Sequence, residues 1–210
     1  LLFKQWLHNA QQNNMKNYNK QKNKGFTLIE TMVAVFILTV AMVSLLGLIS
    51  TSLFNARYSN NEIVANYLVQ EAIDYIRNDR DTTAFQQASN PGGGWTNFKN
   101  KYNNCLSANG CQIDTTLNDV SVCNSTPSSG SSIRCKTFYY NEQPAVGGFY
   151  TYTNIGNSLP ISNFKRQITM STDSSNGNDE LDIKVTVEWK NGTLIKSRSS
   201  RVSLLNWLQQ

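Results

Sequence analysis

The sequence predicts an α+β fold: a long N-terminal α-helix, apolar in its first half and amphipathic in its second, packed on a C-terminal antiparallel β-sheet. Three observations predict it. No charged residue occurs from Thr31 to Ala56, a run of 26 positions, longer than the roughly 20 residues that span a hydrocarbon core. Apolar residues then recur at three- and four-residue steps through Ile63/Val64, Tyr67/Leu68, Ala72 and Tyr75/Ile76, with Glu62, Glu71, Asp74 and Arg77 between them. That is the stripe of a helix lying on a core. From Lys136 onward β-branched and aromatic residues dominate, and Leu181–Trp189 alternates strictly, so one face of that strand is buried.

Composition bounds the function. A chain of 210 residues holds one domain and an appendage. The single histidine, His8, excludes histidine-based triads and multi-histidine metal sites downstream. The net charge of +5 has one origin: Lys4, Lys16, Lys20, Lys22 and Lys24 lie within residues 1–25, which carry no acid, and the remainder holds 14 charges of each sign. The basic balance therefore belongs to an N-terminal segment built like a targeting device, and is no signature of nucleic-acid binding.

Residues 1–25 read as a basic leader. Met15 opens a compact version of it, so residues 1–14 read as an upstream extension. The apolar run, residues 26–54, follows. Lysines ahead of it place the N-terminus in the cytoplasm and the rest of the chain outside, as a single-pass protein. A cleaved secretory signal would have a shorter apolar core and a small-x-small site after it. Glu30 sits just inside the run. One reading is a carboxylate at a helix N-terminus, favoured by the dipole and reaching to the headgroups. The other is a functional group with a partner, because an unpaired carboxylate there costs a few kcal/mol.

Lys24-Gly25-Phe26-Thr27-Leu28-Ile29-Glu30, running into an uninterrupted apolar helix, resembles the type IV prepilin family: type IV pilins, minor pilins and the pseudopilins of type II secretion. The close resemblance covers residues 16–54; residues 65–81 and the C-terminal strands are more loosely similar. It implies that a prepilin peptidase cuts between Gly25 and Phe26 and N-methylates the new amine of Phe26. It implies that the helix then leaves the membrane lipid for the core of an extracytoplasmic filament, where Glu30 meets the Phe26 amine of a neighbouring subunit. The implied partners are the peptidase, other pilin or pseudopilin subunits and the inner-membrane assembly platform. The implied role is structural, with no catalytic residue, cofactor or metal. The family often has a proline part-way along the helix. Here Gly47 stands there, at about 1 kcal/mol against Ala, so a bend, local melting or a small-residue helix contact is expected. Cysteines in mid-chain rather than near the C-terminus favour a minor pilin or pseudopilin over a major subunit. The alternative is a DNA-binding or adhesive minor pilin of a competence-type filament. That needs a basic stripe on the exposed domain, and only Lys196, Arg198 and Arg201 approach one. Edge protection explains those three better, so nucleic acid is not an expected partner.

The extracytoplasmic domain is expected over residues 55–210: an amphipathic helix over 55–80, a loop region over 90–135 and an antiparallel sheet over 136–207. Asn90-Pro91-Gly92-Gly93-Gly94 ends any helix, and lacks the Gly-Lys-Ser/Thr of a phosphate loop. Cys105, Cys111, Cys123 and Cys135 oxidise outside the cytoplasm. Three connectivities exist; short sequential loops close most easily, which favours Cys105–Cys111 with Cys123–Cys135. The spacings contain no Cys-x-x-Cys pair of the kind that holds zinc. Strands are expected at Thr137–Tyr140, Gly148–Thr153 and Phe164–Ser171, and Val202, Leu204, Leu205 and Trp207 close the chain with apolar contacts. Asn191-Gly192 predicts a two-residue hairpin turn. The simple register sets Lys196 and Arg198 opposite Val187 and Val185, so a bulge or a longer loop is expected. Residues 173–180 are rich in oxygen ligands but depart from the calcium-loop spacing, and read as a solvated turn.

Overall fold

The computed structural model describes residues 25–87, 91–127, 130–143, 147–154, 156, 158–172 and 179–207. Most of the leader and most of the oxygen-rich turn, residues 173–178, lie outside the described residues. The chain divides into two units, Leu1–Thr51 and Ser52–Gln210. Helix α1, Leu28–Gln86, is 59 residues long and begins in the first unit and ends in the second; at 1.5 Å per residue that is about 88 Å of helix.

In the first unit α1 is continuous through Gly47, so the local melting expected there does not occur. Hydroxyls that would be stranded in an apolar setting are satisfied internally: Thr31 donates to Leu28 O, Thr39 to Phe36 O, Ser44 to Val40 O and Thr51 to Gly47 O, all at 2.8–2.9 Å.

In the second unit α1 buries Ala65, Leu68, Val69, Ala72, Ile73 and Ile76; of the predicted stripe Leu68, Ala72 and Ile76 are buried and Val64 and Tyr75 pack against the core, whereas Ile63 and Tyr67 are exposed. The helix runs to Gln86, past the expected end near residue 80, because Ala84 is still buried. Region 90–135 is also more ordered than expected. Helix α2, Pro91–Lys101, occupies part of it. Pro91 fits a first helical position, where no amide donor is needed. Trp95, Phe98 and Tyr102 recur at helical steps and are buried; Trp95 stacks on Phe98 at a centroid distance of 5.5 Å and Phe98 meets Tyr102 at a tilt at 4.9 Å. Gly94 lets α2 approach the end of α1: a Cβ there would lie 3.2 Å from Thr83 O. A 3-10 turn, Asn103–Leu106, leads into a small hairpin, β1 Cys111–Asp114 with β2 Asp119–Val122.

The other strands are β3 Thr137–Gln143, β4 Gly147–Thr151, β5 Ile161–Thr172, β6 Glu180–Asn191 and β7 Leu194–Leu205. All pairings are antiparallel. β5 is central: β6 and then β7 lie on one side, while β3–β4 and β1–β2 share the other. The even positions of β5 and odd positions of β6 face α1, and Phe164, Ile168, Met170, Leu181, Ile183, Val185, Val187 and Trp189 form the core with it.

The bulge expected between β6 and β7 is absent. The pairing is unbroken over twelve residues from Glu180↔Leu205 to Asn191↔Leu194, and the turn falls one residue later than expected, on Gly192 and Thr193. This sets Arg198 opposite Val187 and Lys196 opposite Trp189. Cations are tolerated there because α1 supplies partners: Arg198 pairs with Glu62 at 2.8 Å and bonds Asn66 at 3.1 Å, and Lys196 lies over the Tyr58 ring. A register shift occurs instead between β3 and β5, at Thr137/Tyr139.

Two buried polar centres fasten the unit. Arg166 on β5 is fully buried. It donates to Leu68 O at 2.9 Å, Glu71 Oε2 at 2.8 Å and Ile113 O at 2.8 Å, and lies over the Phe138 ring. It thus joins α1, β1 and β3. Asp114, also buried, accepts from Thr116 Oγ1, Thr116 N, Thr151 Oγ1 and Tyr152 N. Burial pushes its pKa up, but the donors of Thr116, Tyr152 and Thr151 outweigh that and hold it below the ordinary value. Disulfides join Cys105 to Cys111 and Cys123 to Cys135. The second closes on Ile133 as a small separate core, and the same segment places Ser131 and Ser132 on the Glu188 carboxylate at 2.6 and 3.1 Å.

Candidate functional site

The segment around Gly25, Phe26 and Glu30 is built on a helix start. Gly25, Phe26 and Thr27 precede the first helical residue, Leu28. Thr27 caps the helix: its hydroxyl accepts from Glu30 N at 3.3 Å, and its carbonyl accepts from Thr31 N at 3.2 Å. Thr27-x-x-Glu30 is the Ser/Thr-x-x-Glu pattern of a helix N-terminus. The reading of Glu30 as a carboxylate at a helix N-terminus agrees with this placement; the role of Thr27 as the cap was not read from the sequence. The cap fixes where the helix begins, and so fixes Glu30 in the first turn, on the positive end of the dipole.

Phe26 is 81% exposed, and a Cβ on Gly25 would meet nothing within 4 Å. Among the described residues nothing packs against the peptide bond between them. Every residue from Gly25 to Ala56 is exposed, although the run is almost wholly apolar. No cation pairs with Glu30 among the described residues. This helix is long and apolar enough to cross a membrane, and exposed apolar surface of this extent marks an interaction surface.

Of the other residues singled out in the sequence, the four cysteines lie in the second unit and the basic trio is divided. Lys196 and Arg198 face α1, while Arg201 pairs with Lys184 on the other face of the sheet. The trio is therefore not one stripe. Arg166 and Asp114 were not found from sequence. The available signal was a lone arginine in the inward phase of β5, between Phe164 and Ile168.

No curated protein and no solved structure matches the chain. Residues 20–46 match the family description "Prokaryotic N-terminal methylation motif". The match spans the leader's last lysines, Gly25, Phe26, the Thr27 cap, Glu30 and the first part of the exposed apolar helix. The chain thus carries in its N-terminal segment the mark of type IV prepilins and pilin-like proteins.

Proposed function

We propose that this chain is a structural subunit of an extracytoplasmic filament, a minor pilin or type II secretion pseudopilin, cleaved between Gly25 and Phe26 and N-methylated on Phe26. The observation that carries the reading is the methylation motif running without interruption into a helix exposed through Ala56. The leader stays in the cytoplasm, the helix holds the processed chain in the inner membrane, and the unit from Ser52 onward stands outside. Its partners are the prepilin peptidase, the assembly platform and other subunits. On assembly the apolar helix exchanges lipid for neighbouring helices.

Glu30 pairs with the new Phe26 amine of a neighbouring subunit. Two charges inside an apolar bundle are tolerable only together, and loss of one partner costs about 3–5 kcal/mol. The test is the distribution of processed protein between membrane and sheared filaments. Glu30→Ala and Glu30→Gln are expected to be cleaved normally and lost from filaments, with Glu30→Asp intermediate. Normal incorporation of Glu30→Ala would reject the pairing and leave Glu30 with the helix-end role alone.

A further inference from the structure

We infer that the last turns of α1 and the end of β7 form a binding site for a neutral sugar ring. Arg80, Asp81, Phe85, Ser203, Leu205 and Trp207 line one open hollow of about 580 Å³, within the size range of small-ligand sites. All six belong to the second unit, so the inference does not depend on how the chain is processed, anchored or assembled. Asp81 and Phe85 stand four residues apart and so share a face of α1. Leu205 ends β7 and Trp207 follows it. The residue between them is pinned: Asn206 donates from its backbone amide to Asp179 O at 2.8 Å and from Nδ2 to Asp179 Oδ1 at 3.2 Å. Trp207 also borders the core beside Trp95 and Phe98. The indole is therefore held in place before any ligand arrives, which lowers the ordering cost of binding.

Two features of the hollow select the ligand. The first is apolar. Phe85 is 70% exposed, Leu205 49% and Trp207 39%, and Phe85 meets Trp207 edge-on at 5.9 Å. The C–H groups of a pyranose carry slight positive charge and suit the negative face of such rings. The second is an imbalance at Asp81. Arg80 Nε and Nη2 each reach its Oδ1 at 2.8 Å, and Trp207 Nε1 donates to the same oxygen at 3.3 Å. Among the described residues no donor reaches Oδ2. An ionised carboxylate accepts on both oxygens, and Arg80 has further N–H donors beyond those two. A sugar hydroxyl both donates and accepts, so neighbouring hydroxyls match an open carboxylate oxygen beside a guanidinium. The pair Arg80–Asp81 has no net charge, and Ser203 brings the Glu180 carboxylate to the rim, so an anion gains nothing here. The apolar face of a partner protein would strip water from Oδ2 and leave it unpaired, a cost that a hydroxyl avoids.

The test is a titration of the full chain in phosphocholine micelles, which carry no sugar. The probes are the methyl glycosides of glucose, galactose and mannose, with glucuronate as the anionic control. Isotope-labelled indole N–H resonances are followed by NMR, that of Trp207 being identified by its loss in Trp207→Phe. The Trp207 resonance is expected to move saturably with at least one glycoside, and less with glucuronate, while that of the buried Trp189 stays in place. Phe85→Ser, at an exposed position, is expected to weaken binding about fivefold, and Asp81→Asn about tenfold. An unmoved Trp189 resonance shows that each variant keeps its fold. Absence of any shift up to the solubility limit of all three glycosides would overturn the site. An equal response to glucuronate would reduce it to an anion contact of Arg80, and a shift that follows protein concentration instead of sugar would make it a contact between copies; either overturns the inference. So would unchanged affinity in both variants. None of these results bears on cleavage at Gly25 or on the pairing of Glu30.

Discussion

Arg166 of β5 and Glu71 of α1 form an ion pair, Nη1 to Oε2 at 2.8 Å, in which the arginine side chain is 1% exposed and the glutamate 40%. The asymmetry makes the two ends unequal. Arg166→Met leaves the carbonyls of Leu68 and Ile113 without their donor inside the core, at an expected cost of about 3–5 kcal/mol. Glu71→Gln leaves Arg166 its two carbonyls and the Phe138 ring, and solvent reaches the vacated position, so about 1–2 kcal/mol is expected. Urea unfolding of the two variants measures the difference; equal losses would contradict it.

Gly110 stands immediately before Cys111 with φ +68°, and a Cβ there would lie 2.5 Å from Ile168 O. Both the backbone conformation and the space demand glycine. Gly110→Ala is expected to cost about 2–3 kcal/mol, measured by the denaturation midpoint, whereas Gly47→Ala, with open space around it, should leave the unit from Ser52 onward unchanged.

The second unit holds its own core, both disulfides and the end of α1, so a chain beginning near residue 55 is expected to fold alone. Produced in an oxidising compartment and then denatured, it should titrate no free thiol. Cys123→Ser with Cys135→Ser should lower its stability by about 2–3 kcal/mol and loosen the segment that carries Ser131 and Ser132. Four titratable thiols would contradict the pairing of these cysteines.

Stability should fall at both pH extremes, for opposite reasons. Hydrogen bonds hold Asp114 below its ordinary value near 3.8, so its contribution is present above that pH and is lost as the pH falls further. Burial pushes the phenols of Tyr102 and Tyr152 far above their ordinary value of 10.0. Their contribution is complete below pH 10 and is lost as the pH rises, by about 1.4 kcal/mol per pH unit for each. Denaturation midpoints of wild type and Tyr102→Phe across the alkaline range separate the two cases. An alkaline slope unchanged in the variant would contradict the assignment.

The legible parts of this protein were those written in long periods. The apolar run, the stripe through Leu68, Ala72 and Ile76, and the alternation of Leu181–Trp189 each repeat enough times to fix an element and its buried face. Helix α2 was hidden because only three aromatics carry its pattern, among glycines and asparagines that favour loops. The β6–β7 register was misread for a different reason. Lys196 and Arg198 face a helix flank bearing Glu62, Asn66 and Tyr58, more than 130 positions away in sequence, and no local pattern records such partners. Arg166 was missed likewise, since its acceptors lie on Leu68, Glu71 and Ile113. In the N-terminal segment the order was reversed. The residues named the chemistry, and the fold added the Thr27 cap and the unbroken exposure of the helix.

The chemical state of Phe26 in protein recovered from membranes and sheared filaments tests the central claim most directly. N-terminal sequencing together with intact mass reads it in one sample. The account predicts a chain that begins at Phe26, lacks residues 1–25, is heavier by one methyl group on the terminal amine, and carries two hydrogens fewer for each of the disulfides Cys105–Cys111 and Cys123–Cys135. A chain that keeps its leader, or one that begins within or after the apolar helix, would contradict it and point to plain anchoring or ordinary secretion.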